Sequence, residues 1–97
     1  MKSYYIYLYR NGLTDSNLEG KYIGHTDVPL SEDGVKQIEQ MKQDYEYPYV
    51  DTVFTSPLKR CTETARLVHP DKTPLVINDL IEYNFGEYEG KTAEELK

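Results

Sequence analysis

The sequence predicts an α/β fold, ordered β-α-β-α-β with mainly parallel strands, in a single domain over residues 1–97. Three observations lead there. Aromatic or β-branched runs are separated by segments whose apolar residues recur every three or four positions. The first run is continuous rather than alternating, as in strands covered on both faces. A helical segment lies between successive runs, which implies parallel strands joined by right-handed crossovers.

The first run is Tyr4 to Tyr9, "YYIYLY". A loop to Leu30 follows, containing Gly12, Gly20, Gly24 and Pro29. Ser31 is placed to cap a helix whose first turn carries Glu32 and Asp33, favourable beside the positive helix end. Val35, Ile38, Met41 and Tyr45 give that helix one apolar stripe, and Pro48 ends it. Val50 to Ser56 reads as the second strand, rich in β-branched residues. Ser56 then suits an N-cap and Pro57 the first helical position, with Leu58, Cys61, Ala65 and Val68 facing one way. A third short strand, Leu75 to Ile77, comes after Pro70 and Pro74. At the end, Thr92 and Glu95 form a capping-box pattern two residues before the last residue. One turn is too short for a stable helix, so the expectation is an element that continues past Lys97, with a frayed terminus as the alternative.

Composition narrows the function. With 38% hydrophobic and 29% charged residues, the chain reads as a globular, cytoplasmic protein. A domain this short buries only roughly 60–65% of its unfolded surface. Ten tyrosines and no tryptophan favour many half-buried rings, since a phenol wants a partner or water. A net charge of −6, with no basic run longer than Lys59–Arg60, argues against nucleic acid, which needs a basic face. An anionic small molecule needs only a few cations gathered locally. Cys61 stands alone, so no intrachain disulfide forms, which fits a reducing compartment. No apolar stretch is long enough for a membrane span or a signal peptide. No metal or cofactor is expected.

In open α/β sheets, ligands sit beyond the carboxyl ends of the strands. Arg10 and Asn11 follow the first strand, Ser56, Lys59 and Arg60 the second, and Glu82 the third. Arg10 and Arg60 offer guanidinium forks that match phosphate oxygens. Gly12 lets backbone approach a ligand, while Thr14 and Asn17 can add neutral donors. Glu82 could protonate the leaving oxygen of an ester if its surroundings raise its pKa. The helix beginning at this rim could present free N–H groups to an anion. Taken singly, an arginine after a strand is most often a surface residue, Glu82 more often a solvated charge, and Lys59, Arg60, Glu63 and Arg66 could form just an exposed, salt-bridged helix face. Their convergence on one rim favours phosphate.

The segment "LYRNGLTDSNLEGKYIGHTDVPLSEDG" resembles the opening of the histidine phosphatase superfamily, with its R-H-G-x-T and G-H-x-D-x-P-L-[ST]-x-x-G signatures. "FTSPLKRCTETA" and "LIEYNFGEYEGKTAEEL" resemble two further motifs of that family, so the match covers the chain in order. The pattern is most similar to the compact phosphatases of the α-ribazole type. The resemblance implies a phosphoglycerate-mutase-like three-layer fold and phosphoric monoester hydrolysis of a small phosphorylated metabolite. It implies that Arg10 and Arg60 hold the phosphoryl group with Asn17 assisting, and that Glu82 donates the proton. By the same resemblance, Lys21 and Thr14 would stand near the substrate. His25 would tie down its loop, and His69 receives no role.

Two departures stand out. The family's nucleophilic histidine is replaced by Asn11. A neutral imidazole has a basic lone pair, whereas the amide nitrogen of asparagine has none to give. The expected result is a chain that is inactive or severely impaired. The family's later half, which supplies a second histidine and a strand beside the first, is also missing. Tyr4 to Tyr9 would then form an open, apolar edge for a companion chain or a homo-oligomer, or else the sequence is incomplete. The alternative function is a non-catalytic phosphate-ester-binding or protein-association module.

Overall fold

The computed structural model describes residues 3–21, 23–82, 87 and 89–95. Along them run α1 (Asp15–Leu18), α2 (Glu32–Asp44), β1 (Phe54–Thr55), α3 (Lys59–Val68) and β2 (Leu75–Val76), then a 3-10 turn at Asn78–Leu80.

The short α1 lies in what the sequence reads as loop. Thr14 and Asn17 close a reciprocal capping box: the Thr14 hydroxyl accepts the Asn17 N–H at 3.2 Å, and the Asn17 side-chain oxygen accepts the Thr14 N–H at 3.1 Å. At the other end Gly20 takes a left-handed φ of 73°. The N–H groups of Gly20 and Lys21 then reach back to the carbonyls of Asn17 and Ser16 at 3.1 and 3.0 Å, a Schellman stop.

Ser31 caps α2 as predicted, accepting the Gly34 N–H at 3.0 Å. It does more than cap. Its own N–H and hydroxyl both donate to the Leu13 carbonyl, at 2.9 and 3.1 Å, and bind the loop to the helix start. The helix ends at Asp44, ahead of Pro48. Of the predicted stripe, Ile38 is buried and Val35 half-buried, whereas Met41 and Tyr45 are exposed. Ile38 joins Leu30 and Val68 in a small core flanked by Val35, Tyr47 and Leu67, where α2 packs on α3.

The strands β1 and β2 pair in parallel, Phe54 opposite Leu75 and Thr55 opposite Val76, with α3 as the crossover between them. Of the predicted runs, Val50 to Ser56 and Leu75 to Ile77, only these two residues of each form the ladder. The predicted start of α3 is corrected by two residues. Leu58, not Ser56, occupies the N-cap, and the Ser56 hydroxyl reaches only as far as the Leu58 N–H, at 3.2 Å. The carboxylate on the first N–H comes from a distant loop: Asp27 accepts from Lys59 at 2.6 Å. Leu58 is buried and Cys61 and Ala65 are half-buried, but the helix's buried positions are Arg60, Thr64 and Val68, a face with two polar members.

The α/β class and parallel pairing hold, but Tyr4 to Tyr9 is not a strand. Among the described residues no backbone hydrogen bond reaches it, and Tyr4, Tyr5, Ile6 and Leu8 are each more than 80% exposed. An apolar run becomes a strand only where another segment supplies ladder partners, and among the described residues none pairs with this one. The Thr92–Glu95 pattern forms a turn in which the Thr92 hydroxyl accepts the Glu95 N–H and donates to its carboxylate, each at 3.2 Å. Thr92 also bridges Lys21 in antiparallel fashion. Residues 83–86 and 88 of the third motif, and the predicted continuation through Leu96 and Lys97, lie outside the described residues. No helix among those described is long and apolar enough to cross a membrane.

Candidate functional site

Three segments meet at the first turns of α3: the loop at Arg10–Thr14, the turn at Gly24–Asp27, and α3 itself. Thr64 joins the first to the last. Its hydroxyl accepts the Gly12 N–H at 3.0 Å and donates to the Arg60 carbonyl at 2.6 Å. The loop's other side lies flat on α2, so close that a Cβ at Gly34 would stand 2.2 Å from the Leu13 oxygen. Asn11 enters this seam half-buried, its amide nitrogen donating to the Gly12 carbonyl at 2.7 Å. Arg10, one residue earlier, is exposed and makes no ion pair among the described residues.

Arg60 is placed differently from an open phosphate ligand. Only 5% exposed, it donates from one terminal nitrogen to the Thr26 carbonyl at 2.8 Å and from the other to the Gly24 carbonyl at 2.7 Å. Each of those nitrogens carries a second N–H, and Nε a further one, so donors remain for an anion. The helix N-terminus is less open than its position predicts. Asp27 already sets a carboxylate on the Lys59 N–H, so that backbone donor is taken.

The remaining predicted residues are tied nearer home. Thr14 is 1% exposed and, with the exposed Asn17, builds the cap of α1. Lys21 pairs with Glu19 at 2.7 Å, and that hydrogen bond and charge hold its pKa above the ordinary lysine value. Glu82 lies exposed beyond the 3-10 turn. His25 is exposed, and its loop is held through the backbone: its N–H donates to Glu89 at 3.0 Å.

Glu89, Thr64 and Asp27 are the residues that sequence reading assigns no task. Glu89 accepts from the N–H groups of Gly24 and His25 and from the Thr26 hydroxyl, residues more than 60 positions away. Thr64 left one signal, its position four residues after Arg60 on the same helix face.

Beside Asn11 opens a cavity of about 320 Å³ walled mainly by rings and aliphatic groups, among them Tyr9, Phe54 and Ala65. Arg10, Arg60, Asn17 and Glu82 do not line it, whereas Asn11 and Thr64 of the polar seam do. His69 borders the cavity, buried, with Nε2 unpartnered and its ring stacked on Tyr9 at 5.8 Å. Burial first, then Tyr47 and Tyr7, push the Tyr9 phenol above its usual pKa. Among the described residues no group of three or more His, Cys, Asp or Glu side chains could hold a metal ion.

Residues 6–97 match the Histidine phosphatase superfamily (branch 1). The chain is 34% identical over 93 residues to the adenosylcobalamin/alpha-ribazole phosphatase of Escherichia coli K12, covering 94% of this chain and 46% of that protein. Its fold is similar to the alpha-ribazole phosphatase of Shigella flexneri, with a TM-score of 0.77 and 33% identity over 89% of this chain and 44% of the other. It is also similar to a histidine-to-alanine mutant of Entamoeba histolytica phosphoserine phosphatase in complex with phosphoserine. There the TM-score is 0.73, with 36% identity over 90% of this chain and 44% of that one. The chain thus spans about half the length of the curated relatives it matches.

Proposed function

The chain belongs to the histidine phosphatase superfamily, and on that premise we propose that it binds a small phosphomonoester beside Arg10 and Asn11 without turning it over. One observation carries the reading: the side chain between Arg10 and the anchored Gly12 is an amide, already donating to the Gly12 carbonyl. Its nitrogen lone pair is delocalised into the carbonyl. It can donate to a phosphate oxygen but cannot attack phosphorus, whereas imidazole can do so and carry the group. By analogy with nucleophile removal elsewhere, turnover falls by on the order of 10⁵–10⁶. Glu82, as proton donor, then has no leaving group to serve.

Binding does not need the nucleophile. The charge at Arg10 and the spare donors of Arg60 are independent of residue 11, and Asn17 can add a neutral donor. A relative with one histidine changed to alanine still holds phosphoserine, which supports binding without that side chain. The phosphoserine held by one relative and the α-ribazole 5'-phosphate in another's name share the phosphomonoester, which supports that ligand class. The lone Cys61 fits a cytoplasmic setting for such a metabolite.

Calorimetry with O-phosphoserine, run beside a phosphate-release assay, tests the reading. The expected result is binding with no release of inorganic phosphate. Arg10→Ala should weaken it about ten- to a hundredfold, the worth of a charged hydrogen bond at about 1.5–3 kcal/mol. Hydrolysis by the unaltered chain, or no binding at all, overturns the reading.

The exposed residues at Tyr4–Leu8 favour a second reading, a protein-association module acting through that run, decided by oligomeric state in solution.

A further inference from the structure

The Gly24–His25 peptide unit is held between two opposite charges. Its N–H donates to Glu89 Oε1 at 3.0 Å, and its carbonyl accepts from Arg60 Nη2 at 2.7 Å. The peptide dipole therefore presents its positive end to a carboxylate and its negative end to a guanidinium, which strengthens both bonds. The flanking groups repeat the pattern. The Gly24 N–H donates to the same carboxylate oxygen at 2.7 Å, and the Thr26 hydroxyl to the other. The Thr26 carbonyl accepts from Arg60 Nη1 at 2.8 Å. The next residue, Asp27, accepts the Lys59 N–H at 2.6 Å, so whatever fixes the turn also fixes the start of the helix that carries Arg60.

We propose that Glu89 is a positioning residue of this site: it fixes the Gly24–Asp27 turn from the side opposite Arg60 and, through Asp27, the first turn of α3. Its importance for an anion rests on the phosphate-binding reading above; its hold on the turn and helix does not. Glu89 is half-buried and takes bonds from three successive residues, which a solvated surface carboxylate would not do. Without it Arg60 keeps the carbonyls but the turn is free to rotate about them, and the guanidinium loses its fixed orientation.

The test is amide NMR on the whole chain, unaltered and with Glu89→Ala, Glu89→Gln and Thr26→Val, followed by titration with inorganic phosphate. In Glu89→Ala the Gly24 and His25 amides should shift upfield and exchange about tenfold faster or more, as expected for loss of a charged acceptor. The Lys59 amide, which donates to Asp27 rather than to Glu89, should lose protection with them. Glu89→Gln keeps an oxygen for the two amides and should restore most of the pattern. Phosphate affinity should drop about fivefold or more in Glu89→Ala, the lower range of coupling between linked sites, and stay near its unaltered value in Glu89→Gln.

A Lys59 amide that ignores Glu89→Ala overturns the proposal. So does a loosened turn with phosphate affinity intact. If Glu89→Ala does not fold, Thr26→Val removes only the hydroxyl bond and should move the same three amides by less; no movement overturns the proposal. An unaltered chain that ignores phosphate sinks the binding reading instead, and the amide arm still decides whether Glu89 sets the turn and α3.

Discussion

A methyl group at position 34 would have nowhere to go. Its nearest neighbours are the backbone oxygen, carbon and nitrogen of Leu13, the oxygen at 2.2 Å, and backbone pinned by Ser31 cannot swing aside as a side-chain tip can. Gly34→Ala should therefore destabilise the chain by about 1–3 kcal/mol, the usual range for overpacking, even though alanine favours helix. Urea unfolding checks this, and a neutral or stabilising result would show that the loop does not lie on α2. The sequence marks Gly34 as the last glycine of the G-H-x-D-x-P-L-[ST]-x-x-G pattern but not what it accommodates, because that atom is 21 positions earlier. The same holds for Glu89, whose partners are 63–65 positions away. Ser31 was readable as a cap because its partner, Gly34, is three residues on. Residues whose contacts lie within one turn are legible; residues whose contacts cross the chain are not.

Elements follow the same division. The start of α2 is set by Ser31 and two acidic residues, all local, and falls where the spacing puts it. The start of α3 is set by Asp27, 32 residues upstream, and lies two positions later than Ser56–Pro57 predicts. Strands depend wholly on partners, so β1 and β2 keep only the residues that face each other and Tyr4–Tyr9 keeps none. Ser31→Ala tests how far a cap can serve two elements. Cap loss alone costs about 0.5–2 kcal/mol. Because the Ser31 hydroxyl also donates to Leu13, the expected loss is at the upper end, with weaker protection of the Gly12 amide in hydrogen exchange. A loss confined to α2 helicity, with Gly12 unaffected, would separate the two roles. The polar seam was legible as a set of residues, Arg10, Asn11 and Arg60. The burial of Arg60 beneath its turn was not, since the carbonyls that hold it come from positions 24 and 26.

The whole chain is looser than its length requires. Its radius of gyration is 15.0 Å, against about 13 Å for a compact domain of 100 residues. It exposes 7537 Å², where a compact chain of this mass exposes about 5,700 Å². The excess, roughly 1,800 Å², is comparable to what one partner contributes to a permanent interface. Much of it is apolar: Tyr4, Tyr5, Ile6 and Leu8 beside Phe54, Leu75 and Val76 on the strands. The chain should therefore self-associate as its concentration rises, and Leu8→Lys should lower the mass seen by light scattering. A monomer at every concentration would remove the association reading. The same shortfall in burial governs how the chain gives way to urea. Roughly a sixth less surface is left to uncover than in a compact domain of equal mass, and the steepness of a denaturation curve scales with that quantity. In dilute solution the transition should be correspondingly broad, and partners that cover the rings should sharpen it.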